Sequence, residues 1–162
     1  MNSEFIMVAI VYGLLFFAAW TDFTSLKIPN PIPIIISAMF PLFSIVTGMT
    51  WEAAILEHFA AGLLILILGL LLFAIGKVGG GDVKLLAAVS IWLGWSKLGP
   101  GLLAIAVVGS LMCFALLAMR QSEIPRWLEV HGLRSIALEK GRGAPYAIAI
   151  AVGFALTQLA SI

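Results

Sequence analysis

Charge is what this chain has least of. Only 10% of its 162 residues are charged, where a soluble domain carries about a quarter. That scarcity excludes a water-solvated globule. The longest hydrophilic stretch, 120–143, is too short to fold as a unit of its own. Cysteine occurs once, at Cys113 inside an apolar run, which excludes an internal disulfide framework and a cysteine metal site. Histidine occurs twice, and neither His58 nor His131 has a partner at metal-ligand spacing, so no chemistry is assigned to them and no cofactor is expected. No Lys or Arg precedes Lys27, and Glu4 occupies the region where a secretory signal would be basic, so the first apolar run is expected to be retained. A net charge of +1 gives no reason to expect a nucleic-acid partner.

What is abundant is apolar surface, at 62% of residues. The expected fold class is all-α: one polytopic membrane-embedded domain over residues 1–162, with the bilayer as its solvent. About 20 apolar residues cross a hydrocarbon core of roughly 30 Å. Uncharged runs at 5–21, 28–51, 59–76, 85–96, 98–119 and 144–162 therefore predict about six spans. The second run holds Pro29, Pro31, Pro33 and Pro41, and its helix is expected to begin near Pro31. The fourth run is short. It crosses if Val83 and Lys84 are included and Lys97 snorkels outward; a re-entrant segment is the rival. Residues 51–58 are expected to be a loop, 63–72 to face lipid, and the last span to enter through Pro145.

With six spans, Lys27, Lys77, Lys84, Arg120, Arg126, Arg134, Lys140 and Arg142 fall on one side, and Lys97 alone on the other. This asymmetry predicts a cytoplasmic location for the basic side and both termini outside the cytoplasm. Residues 124–138 carry Ile124, Trp127, Leu128 and His131 at helical spacing, which reads as an interfacial amphipathic helix or, in a functional version, a substrate-docking flap.

Two aspartates stand out. Asp22 follows the first uncharged run, and Asp82 closes Gly79-Gly80-Gly81-Asp82 at the edge of two apolar segments. A carboxylate near a span end is costly unless paired, hydrated or used. One reading is capping: aspartate is a favoured N-cap and suits the positive end of a helix. Another is a proton or cation carrier, but a relay needs ionisable groups through the membrane depth, and both aspartates belong to one face. The third is peptide hydrolysis by a carboxyl pair sharing one proton, one member activating water and the other polarising the scissile carbonyl. Three glycines before Asp82 would let the backbone turn and let a helix or an extended substrate approach closely. Lys84 would anchor to lipid phosphate or to the substrate.

The order of motifs carries a resemblance. Asp22 precedes Ile28-Pro29-Asn30; Gly79-Gly80-Gly81-Asp82 precedes Val83-Lys84-Leu85; and Pro145-Tyr146 opens the last run. The whole chain in this order resembles the type IV prepilin peptidase family of Gly-x-Gly-Asp aspartyl proteases. That resemblance implies Asp22 and Asp82 as the catalytic pair, with Gly79, Gly80, Gly81, Lys84, Ile28, Pro29, Asn30, Pro145 and Tyr146 in support. It implies a bacterial inner-membrane endopeptidase acting at the cytoplasmic face. Its substrate would be a prepilin or pseudopilin, cut between a short basic leader and a hydrophobic helix, and its partners membrane lipid and a pilus or secretion machinery. The larger family members carry a methylating domain with two Cys-x-x-Cys pairs. Here only 22–29 separate the first aspartate from the motif proline, so that domain and its S-adenosylmethionine requirement are put in doubt. The chain is similar instead to the short peptidases of tight-adherence (Flp) pili, with archaeal preflagellin peptidases a close alternative. Ala147 stands where many relatives have glycine. The Tyr-Asp and Pro-Ala-Leu patterns of presenilin-type enzymes do not occur.

Overall fold

The computed structural model describes residues 3–121 and 143–160. The stretch 124–138, with Lys140 and Arg142, lies outside them. Among the described residues every regular element is a helix: α1 (Ser3–Ser25), α2 (Pro31–Val46), α3 (Trp51–Ala74), α4 (Gly80–Gln121) and α5 (Tyr146–Leu159). α1, α3 and α4 are long and apolar enough to cross a membrane, while α2 and α5 are shorter apolar helices. Most of the large apolar side chains on the outside, from Phe5 on α1 to Leu111 and Phe114 on α4, are exposed, as expected of a surface solvated by lipid rather than water.

α1 continues one turn past Asp22, so this aspartate belongs to the helix rather than to the turn after it. The chain leaves through Leu26 at φ 51°, the one described non-glycine residue at positive φ. α2 begins at Pro31, as the proline spacing predicts, because a missing N–H is harmless in a first turn.

The expected loop 51–58 is a correction: it is helical. Thr50 caps the helix, its side chain accepting from the Ala53 N–H at 3.3 Å. Glu52, Glu57 and His58 end the uncharged run without ending the helix, since the backbone ladder does not require apolar side chains. Between Ala54 and Phe59 that ladder widens into a π turn, with Ala60 N–H bonded to Ile55 O. Widening leaves Leu56 O free to accept from Trp95 Nε1 at 2.7 Å.

The short fourth and the fifth apolar runs form two limbs of α4, broken at Gly94 (φ 64°, ψ 176°). The chain reverses there. A Cβ on Gly101 would lie 2.5 Å from the Leu93 side chain, eight residues back, which no straight helix permits. The second limb then runs antiparallel to α5: Lys97 Nζ donates to Gln158 Oε1, Gly153 packs on Ile105, and Gly109 packs on Tyr146. The first limb runs antiparallel to α3, with Gly69 against Val83 and Gly62 against Ile91. Small residues at these crossings let backbones approach, the usual way helices associate where no water drives them together. The reversal is held by His58, whose Nδ1–H donates to Ile91 O at 2.8 Å, and Trp92 Nε1 donates to Ile36 O at 2.9 Å. Phe40 fills the space between, its ring 4.5 Å from His58 and 5.6 Å from Trp92.

Candidate active site

The last turn of α1, the first turn of α4 and the first turn of α5 meet at one end of the bundle. Asp22 comes from the first, Asp82 from the second and Tyr146 from the third, and all three line one cavity of about 630 Å³. Asp22 and Asp82 also line a second cavity of about 350 Å³, opening toward Lys27 and Asn30. Sixty positions apart in the chain, the two carboxylates therefore share both cavities.

Asp22 is buried, 5% exposed, at a depth where an uncompensated carboxylate would be costly. Its compensation is the backbone of α5. Ala147 N–H donates to Asp22 Oδ2 at 2.9 Å. The first N–H groups of any helix have no partner within it, and Pro145, ahead of α5, supplies none to compete. Proline and tyrosine thus open a helix whose next amide is aimed at the aspartate. Sequence reasoning gave Ala147 no role, because its side chain has none. The available signal was its place in a proline-led first turn.

Asp82 occupies the first turn of α4, where Val83 N–H bonds to Gly79 O at 3.1 Å, and no side-chain cap from Asp82 accompanies it. The expected role of the glycine run is partly corrected. None of Gly79, Gly80 or Gly81 has positive φ, so the run is not a device for an unusual turn. Close approach is what it permits. A Cβ on Gly81 would stand 3.2 Å from Ile28 Cβ, and one on Gly80 would stand 3.3 Å from the Phe73 ring. Ile28 in this way seats the helix start that carries Asp82.

The remaining motif residues cluster beside these. Pro29 O accepts from Ile32 N–H at 3.1 Å, closing the first turn of α2. Lys84 Nζ donates to Asn30 Oδ1 at 2.9 Å, giving it a partner in the Ile28-Pro29-Asn30 segment. That bond ties the chain after α1 to the helix bearing Asp82. Tyr146 packs on Gly109, its hydroxyl 2.7 Å from where a Cβ would be. Leu26, Gly69, Leu72, Lys77, Leu86 and Ile150 complete the larger cavity, and sequence reasoning singled out none of them for a site. Apart from Lys77, they are apolar or glycine residues, indistinguishable from lipid-facing neighbours until the helices are assembled. His58 belongs to the reversal at another part of the bundle, and among the described residues no cluster of metal-ligating side chains occurs.

The arrangement offers two carboxyl groups, one gripped by an amide, beside a cavity large enough for a peptide side chain. Neither a curated protein nor a solved structure matches the chain. A sequence profile does, over residues 9–119, which span α1 to α4 and both aspartates. By that match the chain belongs to the Type IV leader peptidase family.

Proposed function

We propose that this protein is an aspartic endopeptidase of the bacterial inner membrane that removes the leader of prepilin-like substrates. The observation that carries the reading is the convergence of Asp22 and Asp82 on shared cavities at one end of the helices. Family membership favours a peptidase over the carrier that the same carboxylates would otherwise suit.

The steps follow from the two environments. Asp22, held by the Ala147 amide, is the base; Asp82 carries the shared proton. Asp22 takes a proton from water as its oxygen bonds to the scissile carbonyl carbon. Asp82 passes its proton to the carbonyl oxygen, giving a tetrahedral diol. Asp22 then gives its proton to the amide nitrogen, the C–N bond breaks, and Asp82 recovers a proton from the diol as the carboxyl product forms. Water is consumed, and a leader acid and a new amine are released.

In this reading the chain crosses six times, with both termini outside the cytoplasm and the site at the cytoplasmic face. Lys27, Lys77 and Lys84 lie at the aspartate end, and Lys97 lies by Gln158 at the other, which supports this orientation. The short connection from Asp22 to Pro29, with no room there for a methylating domain, favours tight-adherence (Flp) prepilins as substrates.

The test is co-expression with a candidate prepilin and sequencing of the product's new N-terminus. Asp22→Asn and Asp82→Asn should each abolish cleavage at unchanged protein level and membrane insertion. Near wild-type cutting by either variant would overturn the pair.

A further inference from the structure

A groove about two helical turns long, with a volume of about 540 Å³, runs between α2, α3 and the first limb of α4. Gly62, Ala87 and Ala88 line it from buried positions, and Ala38 and Leu63 from exposed ones. α2 and α4 start at the aspartate end and α3 ends there, so Lys84 stands at the mouth of the groove and Pro41, Phe59 and Ile91 lie deepest. Lys84 is exposed, and of the described residues lining the groove it alone is charged. Its ammonium has three N–H donors, and the partner it holds, Asn30, is neutral. Two donors and a whole positive charge therefore remain for an anion. The groove between α1 and α5 has the same volume, about 540 Å³, but no described residue lining it is charged.

An occupant of such a groove must be long, thin and apolar, with negative charge at one end only. A peptide strand would bring backbone amides and carbonyls against a described lining whose only polar side chains are Lys84 and Ser37, and would leave them unpaired. A helix is about 10–12 Å across, and two turns of one need more room than the groove has. An acyl chain has no polar groups to satisfy, and the phosphate of its headgroup meets the ammonium at the membrane surface. We propose that this groove binds one acyl chain of an anionic phospholipid, with the lipid phosphate on Lys84. Through the Lys84–Asn30 bond, the lipid then bears on the segment that seats the helix start carrying Asp82.

Delipidated protein in detergent is titrated with phosphatidylglycerol or with phosphatidylcholine of the same acyl chains, and bound lipid is counted by native mass spectrometry. Wild type should bind one phosphatidylglycerol about fivefold tighter than phosphatidylcholine. Lys84→Gln should abolish that preference, whereas Lys27→Gln, at the same end but outside the groove, should keep it. Ala38→Phe and Leu63→Trp fill the groove from exposed positions, and each should weaken binding of both lipids by about tenfold or more. A wild type that does not distinguish the two lipids would overturn the proposal, as would Lys84→Gln or both filled-groove variants binding like wild type. Displacement of the lipid by inorganic phosphate or by an uncut prepilin would also overturn it, giving the site to those occupants. No cleavage is measured, so either result leaves the peptidase reading untouched.

Discussion

Ala147 donates its backbone N–H to Asp22 Oδ2 at 2.9 Å, joining the start of α5 to the end of α1 across 125 positions of sequence. This bond makes the last apolar helix part of the site. Its backbone origin also makes it separable from side-chain chemistry.

Ala147→Pro removes that donor in a helix turn that tolerates proline, and Ala147→Gly keeps it. A hydrogen bond to a charged group contributes about 1.5–3 kcal/mol. The proline variant should therefore lose about tenfold or more in kcat/KM, and the glycine variant should remain within about threefold. Steady-state cleavage of one peptide by both variants checks this; equal activity would leave the amide without a role.

The contact of Gly81 with Ile28 predicts a steric loss. Gly81→Val places branched carbons where even a Cβ stands 3.2 Å from the Ile28 side chain, displacing the turn that carries Asp82. Cleavage should fall by more than about tenfold, since small misplacements at a reacting centre cost rate steeply. Gly99→Ala, with nothing within 4 Å, should cut like wild type.

Lys84 and Asn30 should act as a unit. Lys84→Ala and Asn30→Ala each remove one partner of the same 2.9 Å bond. A net contribution of about 0.5–1.5 kcal/mol corresponds to about two- to tenfold in kcat/KM. The double variant should be no worse than the poorer single one; multiplied losses would show that the residues act independently.

Gly94→Ala tests the reversal rather than the site. A side chain at this φ and ψ costs about 1–3 kcal/mol, and a Cβ would stand 2.9 Å from the His58 ring. Thermal unfolding in detergent should show a lower Tm, with KM of the folded enzyme unchanged. An unaltered Tm would mean the reversal accommodates a side chain without strain.

Orientation is checked by Ser3→Cys in a Cys113→Ser background. A membrane-impermeant thiol reagent should label intact cells. Labelling only after lysis would reverse the topology.

Much of the site was legible as residue types. Asp22 and Asp82 announce themselves because carboxylates are rare in apolar runs, and Pro145-Tyr146 because a proline marks a helix start. The start of α3 at Trp51 was not legible. Glu52, Glu57 and His58 look like a loop to a hydropathy reading, which sees side chains, while the helix is held by backbone bonds and a Thr50 cap. The walls formed by Leu72, Leu86 and Ile150 were equally hidden, since facing lipid and facing a cavity require the same chemistry of a side chain.

By itself, then, the sequence determined the solvent, the helical class and which few groups are too polar to be idle, because these follow from composition and local spacing. Only the tertiary structure decided that α5 supplies an amide to Asp22, that Lys84 binds Asn30, and that the glycines serve proximity rather than turning. Those are contacts between segments distant along the chain, fixed by how helices pack, and local pattern carries no record of them.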